Sequence, residues 1–422
     1  MQGLNANNPF IDVFGALGTI CTGMAKYLYH KTLNLLRDEK NTFYFLLVLL
    51  NMFPLLMRGQ VKTIQGRLDA KIANVPEGYY ACLYSVEEKL LLKTPIKEGQ
   101  FHFDFSLPME EGPNFLKRIE VFITKNKDLT PLQLVNQASC SARLLVEEKI
   151  GLSGDFQKKF LAGAGALNND YTKFRQIEFE TAQNIAKEAK EISRQTMPEQ
   201  EKAKRVFSIK VYEEGKQGVS QLKLAAQLKN DVAFAELYTL ASSPFLILYD
   251  ANDLDQVFLQ FPASYRTSAF GKRMEEKINK HKLKEAIFKV GDKVPPSSLI
   301  TMNGTRKNLL PLAKGYYLLD VWASWCAPCR AEMPGIQDLA KKYPQLKVIA
   351  IAVSDTEDKW KKAVNEDKHF NFTHLFVPRE SDLTKKMGID YVPRNFIIDQ
   401  DGTVLAKDLR RQDLDNFVKK LF

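Results

Sequence analysis

The spacing of apolar and polar positions changes character along the chain. Asn41 to Met57 reads Asn-Thr-Phe-Tyr-Phe-Leu-Leu-Val-Leu-Leu-Asn-Met-Phe-Pro-Leu-Leu-Met, with Lys26, Lys31, Arg37 and Lys40 before it. An apolar run of about 15 residues is short for a membrane span and suits the hydrophobic region of a signal peptide. From Gln60 the pattern shortens to alternating runs at Val61–Leu68, Tyr79–Val86, Phe101–Leu107 and Ile119–Thr124. Pro76-Glu77-Gly78, Lys97-Glu98-Gly99 and Glu111-Gly112-Pro113 separate them, as in a small antiparallel β-domain. Past Leu167 a three-to-four spacing takes over. Phe174, Ile177, Ala182, Ile185 and Ala189 predict an amphipathic helix capped by Asn168 to Asp170, with further helices near 199–212, 219–240, 251–260 and 265–286. The last stretch predicts strands at Tyr316–Trp322, Lys347–Val353 and Leu375–Val377 and a helix at Thr356–Asn365. A hairpin of Asn395–Ile398 and Thr403–Ala406 follows, turning at Asp399-Gln400-Asp401-Gly402, and Asp413 is the expected cap of a final helix. The division that follows is an N-terminal extension over 1–59, a β-rich domain over 60–150, a helical section over 151–286 and an α/β domain over 287–422.

The apolar run at 41–57 lies far from Met1 for a signal peptide. Either translation starts at Met24, which leaves a basic leader of ordinary length, or the run is an uncleaved anchor; both export the rest of the chain. A buried core helix is the third reading. Composition changes this picture little. Forty-five per cent hydrophobic and 26% charged residues are those of a folded globular protein, and 422 residues suggest two or three domains. The net charge of +10 is spread among 50 acidic residues with no basic stripe interleaved with aromatics, which argues against nucleic-acid binding. The five cysteines, Cys21, Cys82, Cys140, Cys326 and Cys329, are too few for a disulfide scaffold. A zinc site would need a second ligand pair, and His369 and His374 have no cysteine nearby, so no metal is expected. Cys82 and Cys140 read as small buried residues.

Chemistry concentrates in Leu318-Leu-Asp-Val-Trp-Ala-Ser-Trp-Cys-Ala-Pro-Cys-Arg-Ala-Glu-Met-Pro334. An apolar strand feeding a helix places Cys326 at the helix N-terminus, where unpaired N–H groups and the dipole favour thiolate. Cys329, at i+3, lies on the same face and can close a disulfide with it. Pro328 fits the first turn, which does not use its missing N–H, while Pro334 falls inside the helix. The dipole's roughly 0.3–1 kcal/mol lowers a thiol pKa by at most about 0.7 unit, so hydrogen bonding must supply the rest. The larger benefit of a low pKa is that Cys326 leaves readily when Cys329 attacks a mixed disulfide.

This segment resembles the active-site segment of thioredoxin-fold proteins, and its Glu-Met-Pro after the second cysteine resembles the TlpA-like branch, envelope thiol-disulfide oxidoreductases that include the cytochrome c maturation thioredoxins. Tyr391-Val392-Pro393, followed by the strand to Asp399, matches that family's cis-proline loop. The β-rich stretch resembles the small β-domain of unknown function that precedes the thioredoxin domain in many such proteins, and helical inserts also occur there. The resemblance implies an α/β thioredoxin fold at the C-terminus, with Asp320 buried behind the disulfide and exchanging protons with Cys329, and Glu332 as the family's acidic residue. Burial in apolar surroundings would raise the Asp320 pKa and suit it to acid–base work. Cys326, preceding the helix, is expected to be the more exposed sulfur and the nucleophile, with Cys329 the resolving thiol. Trp325 covers the disulfide or packs in the core. Pro393 is expected in cis, holding Val392's backbone open for a substrate strand. Arg394 puts a cation near the site, where it would select substrates or steady the thiolate.

The expected activity is reduction or exchange of protein disulfides by an exported, periplasmic or envelope protein. It needs no organic cofactor, since the dithiol carries the two electrons, and it draws on an upstream membrane or periplasmic electron donor. Membrane contact is expected only through 41–57, if that segment is not cleaved. A partner-binding scaffold with vestigial redox activity is the alternative from another class. A thiol peroxidase would need a Pro-x-x-x-Thr-x-x-Cys setting, which is absent.

Overall fold

Strand β1 (Thr63–Ala73) buries every second residue from Gly66 onward, the period that turns one face of a pleated strand to a core. The computed structural model describes residues 63–85, 90–108, 116–243, 250–310, 314–368 and 371–422. The expected signal or anchor at 41–57, Cys21, the turn at 111–113 and His369 lie outside these.

β1 is followed by β2 (Tyr80–Ser85), β3 (Leu90–Pro95), β4 (Gln100–Pro108), β5 (Arg118–Thr124), helix α1 (Pro131–Gln137), β6 (Cys140–Leu145), β7 (Lys149–Asp155) and β8 (Phe160–Ala164). They form two four-stranded sheets, ordered β4-β1-β7-β8 and β3-β2-β5-β6. The domain is not wholly antiparallel as expected: β1 and β7 run parallel, with Leu68 opposite Ile150. The strands and helix between them supply the long crossover that parallel pairing needs. Strands also continue beyond residue 150, to Ala164. Cys82 and Cys140 are buried free thiols, both pushed upward in pKa by that burial.

Helix α2 (Asn168–Ser193) starts without a side-chain cap, contrary to expectation. Asn168 instead faces the β6 end, accepting from Leu145 N–H at 2.9 Å and donating to Leu145 C=O at 2.8 Å. Of the expected apolar face, Phe174 is fully buried and Ala182 is exposed. Helix α3 (Glu199–Leu228) runs through the break expected near 212–219 and ends at Lys229, in the left-handed region at φ 50°. Asn230 then caps α4 (Asp231–Ser242) by accepting from Ala233 N–H at 3.0 Å. Asp250 caps α5 (Ala251–Leu259) and Ser268 caps α6 (Ala269–Glu285). Phe174, Leu222, Phe234, Leu237, Phe258 and Met274 share one core.

The C-terminal domain is a seven-stranded sheet of order β10-β9-β13-β12-β11-β14-β15. Its elements are β9 (Ser298–Thr301), β10 (Arg306–Asn308), β11 (Tyr316–Trp322), α7 (Ala327–Lys342), β12 (Leu346–Ala352), α8 (Glu357–Asp367), β13 (Thr373–Phe376), β14 (Arg394–Ile398), β15 (Val404–Lys407) and α9 (Arg411–Lys419). β12 runs parallel to β11 and to β13, while β14 is antiparallel to β11. Side chains alternate across β11. Leu318 and Trp322 join Met333 and Ile336 of α7, Trp360 of α8 and Leu414 of α9, while Leu319 and Val321 join Phe288, Val294, Leu383 and Phe396 on the other face. Gly402, at φ 75°, closes the expected hairpin turn, and Asp399 accepts from Thr403 N–H at 2.9 Å. Asp413 does not cap α9; Arg410 holds that position and Asp413 lies in the first turn. Among the described residues no helix is long and apolar enough to cross a membrane.

Candidate active site

β11 ends at Trp322, and the connection to α7 is held by one carboxylate. Asp355, after β12, accepts from Ser324 N–H at 2.6 Å, Ser324 O–H at 2.9 Å and Thr356 N–H at 2.9 Å. Trp325 next to it is 63% exposed, a surface position rather than a core one, and its indole N–H donates to Ser354 C=O at 2.9 Å. Cys326 is the N-cap residue of α7, with an extended backbone, and its sulfur accepts from Cys329 N–H at 3.2 Å. This places a helix-terminal N–H on the sulfur, as the sequence anticipates.

Cys326 and Cys329 are disulfide-bonded, with Cα atoms 5.3 Å apart. At 3% and 2% exposure the two do not differ in access, so the expectation that Cys326 is the more open sulfur is not met in this oxidised state. Both cysteines sit in the core shared by Trp322 and Met333. The Val392–Pro393 bond is cis, and Val392 packs against that core.

Asp320 is 2% exposed and belongs to the alternation set of Leu318 and Trp322, the face that carries α7. Its Oδ2 has no hydrogen-bond partner. Burial, then the charge of Glu332, pushes its pKa up to about 8, while Arg410 pulls the other way. Glu332, on α7, is also raised by burial and is drawn back by the Arg410 guanidinium, which donates to its Oε1. Arg410 is the residue that sequence reasoning missed: its other arm donates to Pro393 C=O at 3.0 Å. No sequence signal marks it: the expected cap at Asp413 leaves Arg410 outside the final helix, whereas the helix starts at Arg411 with Arg410 as its N-cap.

Arg394 does not take the expected place. Strand alternation puts it with Phe396, on the face away from the cysteines, 2% exposed. There its guanidinium forks onto Asp408 at 3.0 and 2.5 Å and lies over the Tyr391 ring, 5.0 Å from its centroid. An arginine committed in this way is not available to a thiolate or a substrate. Among the described residues no group of three or more His, Cys, Asp or Glu side chains could hold a metal ion.

A Cys-x-x-Cys disulfide at the N-terminus of the first helix after a central strand, packed beside a cis-proline loop on a mixed sheet of this order, defines a thioredoxin-like redox domain. Residues 289–420 match the family model described as Redoxin. The chain is 26% identical over 144 residues to thiol-disulfide oxidoreductase ResA of Bacillus thuringiensis, covering 33% of this chain and 82% of the relative. It is 28% identical over 122 residues to thioredoxin-like protein YneN of Bacillus subtilis, covering 29% and 72%. The thioredoxin domain of a Bacteroides vulgatus thiol-disulfide oxidoreductase aligns at 26% identity and a TM-score of 0.30, covering 32% of this chain and 97% of that one. The C-terminal domain is therefore that of a TlpA-like, thioredoxin-family thiol-disulfide oxidoreductase.

Proposed function

We propose that the protein reduces or exchanges disulfides of other proteins by a two-cysteine relay between Cys326 and Cys329. The single observation that carries this is the Cys326 sulfur at the N-cap of α7, bonded to Cys329 and accepting the Cys329 N–H. In the reduced protein the Cys326 thiolate attacks a substrate disulfide; one substrate sulfur leaves as a thiolate and takes a proton from solvent. Cys329 then gives its proton to ionised Asp320 and attacks Cys326 Sγ. The second substrate thiolate is released and the Cys326–Cys329 disulfide re-forms. Two electrons pass from the dithiol to the substrate, and an external dithiol donor restores them. No organic cofactor or metal takes part. Val392 and Pro393 form the loop beside the disulfide that receives the substrate strand, and exposed Trp325 forms the rim.

We further place the protein outside the cytoplasm, on the support of the apolar run at 41–57 and its basic flank, with apocytochrome c, a folding client or a peroxidase as substrate classes. Separate measurements test the two statements. Wild type should reduce insulin disulfides and Cys326→Ser should not, while Cys329→Ser should accumulate mixed disulfides whose partner can be identified. In intact cells a membrane-impermeant alkylating reagent should label reduced Cys326. A wild type that forms the disulfide yet leaves insulin intact would overturn the redox reading, and protection from the impermeant reagent would overturn the location.

A further inference from the structure

Nothing in the relay above uses Arg410, yet its charge acts on both Asp320 and Glu332. Its side chain and that of Glu332 are each 11% exposed, and a charge so far from water persists only when paired. One arm of the fork donates to Glu332 on α7 and the other to the carbonyl of Pro393, so a single side chain spans the active-site helix and the loop beside it. We propose that Arg410 is a positioning residue, whose two-armed hold on Glu332 and Pro393 makes the active-site helix and the substrate-facing loop one unit. The inference rests on the disulfide-exchange reading for what the loop receives.

The backbone that presents Arg410 is itself fixed. Asn395 of β14, opposite Asp320 in register, donates to Leu409 C=O at 2.7 Å and accepts from Leu409 N–H at 3.1 Å. This amide clamp fixes the residue before Arg410 to β14, the strand that pairs with Asp320's β11 and begins at Pro393's neighbour Arg394. A lysine ammonium could neutralise Glu332, but it lacks the rigid fork needed to hold both acceptors at once.

Other charged groups near Glu332 cannot take Arg410's place. Asp320 faces it from β11 and Asp408 from the loop after β15, and both are acids. Across the adjoining cleft of about 480 Å³, Glu188 of α2 pairs with Arg411, and Arg205 of α3 pairs with Asp338 and Glu201. Arg410 is thus the cation that opposes burial at both Asp320 and Glu332. Its loss should therefore move the titration of Asp320 as well as loosen the loop. A residue that merely braced the fold would do neither selectively.

The test uses the full chain with Arg410→Met and Arg410→Lys, read by carbon NMR titration of the Asp320 carboxyl in the oxidised protein and by insulin reduction. In Arg410→Met the Asp320 titration should move up by about one pH unit. The midpoint of the rise of kcat with pH should follow it, and KM for insulin should rise roughly three-fold or more as the loop loses its tie. Arg410→Lys should restore the titration and leave KM raised. A wild-type titration together with wild-type KM in Arg410→Met, or restoration of both by lysine, would overturn the proposal. If Arg410→Met does not fold, Glu332→Gln combined with Arg410→Met removes the unpaired carboxylate, and its KM must still be raised. Should wild type itself fail to reduce insulin, the disulfide-exchange reading falls, while the titration still reports on Arg410 alone.

Discussion

Asp320 sits on a central strand with one carboxylate oxygen unpartnered, so its proton is part of the fold as well as of the proposed chemistry. An unfolded aspartate titrates near 3.9, whereas Asp320 in the folded protein titrates at about 8. Between those values the unfolded chain has lost the proton that the folded chain keeps, so this group's contribution to stability is complete below about pH 4 and declines as pH rises toward 8. The slope is at most about 1.4 kcal/mol per pH unit. Asp320→Asn removes it: the variant's urea midpoint should exceed the wild-type midpoint by a margin that grows from pH 5 to pH 8, and parallel curves would show that the raised pKa is wrong. Without its base the variant should also resolve mixed disulfides about 10²-fold more slowly at unchanged KM. Asp320, Glu332 and the cysteines were legible because they lie close together in one segment, and Pro393 because its loop has a recognisable form. Arg410 was not, since its partners stand 78 and 17 residues away in sequence and only the fold joins them. Arg394 was misread because proximity to Pro393 in sequence says nothing of which sheet face it takes.

Among the elements, β11, β12, β14 and β15 were read to within a residue at each end, because β11, β12 and β14 are buried on both faces and mostly apolar, while the short β9 and β10 went unread. β7 carries two glycines and β8 is only five residues long, so both alternate in burial yet offer few large apolar residues to detect. The continuity of α3 was hidden by Gly215 and Gly218, which invite a break; Gly218 is buried within the helix, and the actual stop is a left-handed lysine with no sequence signature. The join between the last of these strands and the helices depends on Asn168, which is fully buried and also donates to Glu147 at 2.6 Å. Asn168→Ala leaves the Leu145 N–H and C=O without their side-chain partner, so stability should fall by about 2–3 kcal/mol. Chemical denaturation reads this directly. Asn168→Asp, which keeps the acceptor but loses the donor and brings a like charge to Glu147, should be no better than alanine.

Across the whole described chain, the helical section is not a free spacer. Asp367, at the end of α8 with its side chain 1% exposed, accepts from Arg330 of α7 at 2.8 Å and from Lys204 of α3 at 2.5 Å. Arg330 directly follows Cys329, so one carboxylate ties the active-site helix to the helical section. Burial pushes Asp367 upward, but the hydrogen bonds and charges of Arg330 and Lys204 together outweigh it and hold the carboxyl below its ordinary range. A depressed folded pKa contributes stability that is present above the unfolded value near 3.9 and is lost as pH falls through the folded one. Asp367→Ala strands two half-buried cations and should destabilise the protein by roughly 2–4 kcal/mol at pH 7, with the difference from wild type shrinking as pH drops toward 3. The location of the loss is the sharper test. Amide hydrogen exchange should quicken in the first turns of α3, around Lys204 and Arg205, and in α7 around Arg330, while the sheets of residues 63–164 keep their protection. Uniform loss across the chain would mean that Asp367 stabilises the fold at large and does not act as the tie between the helical section and the redox site.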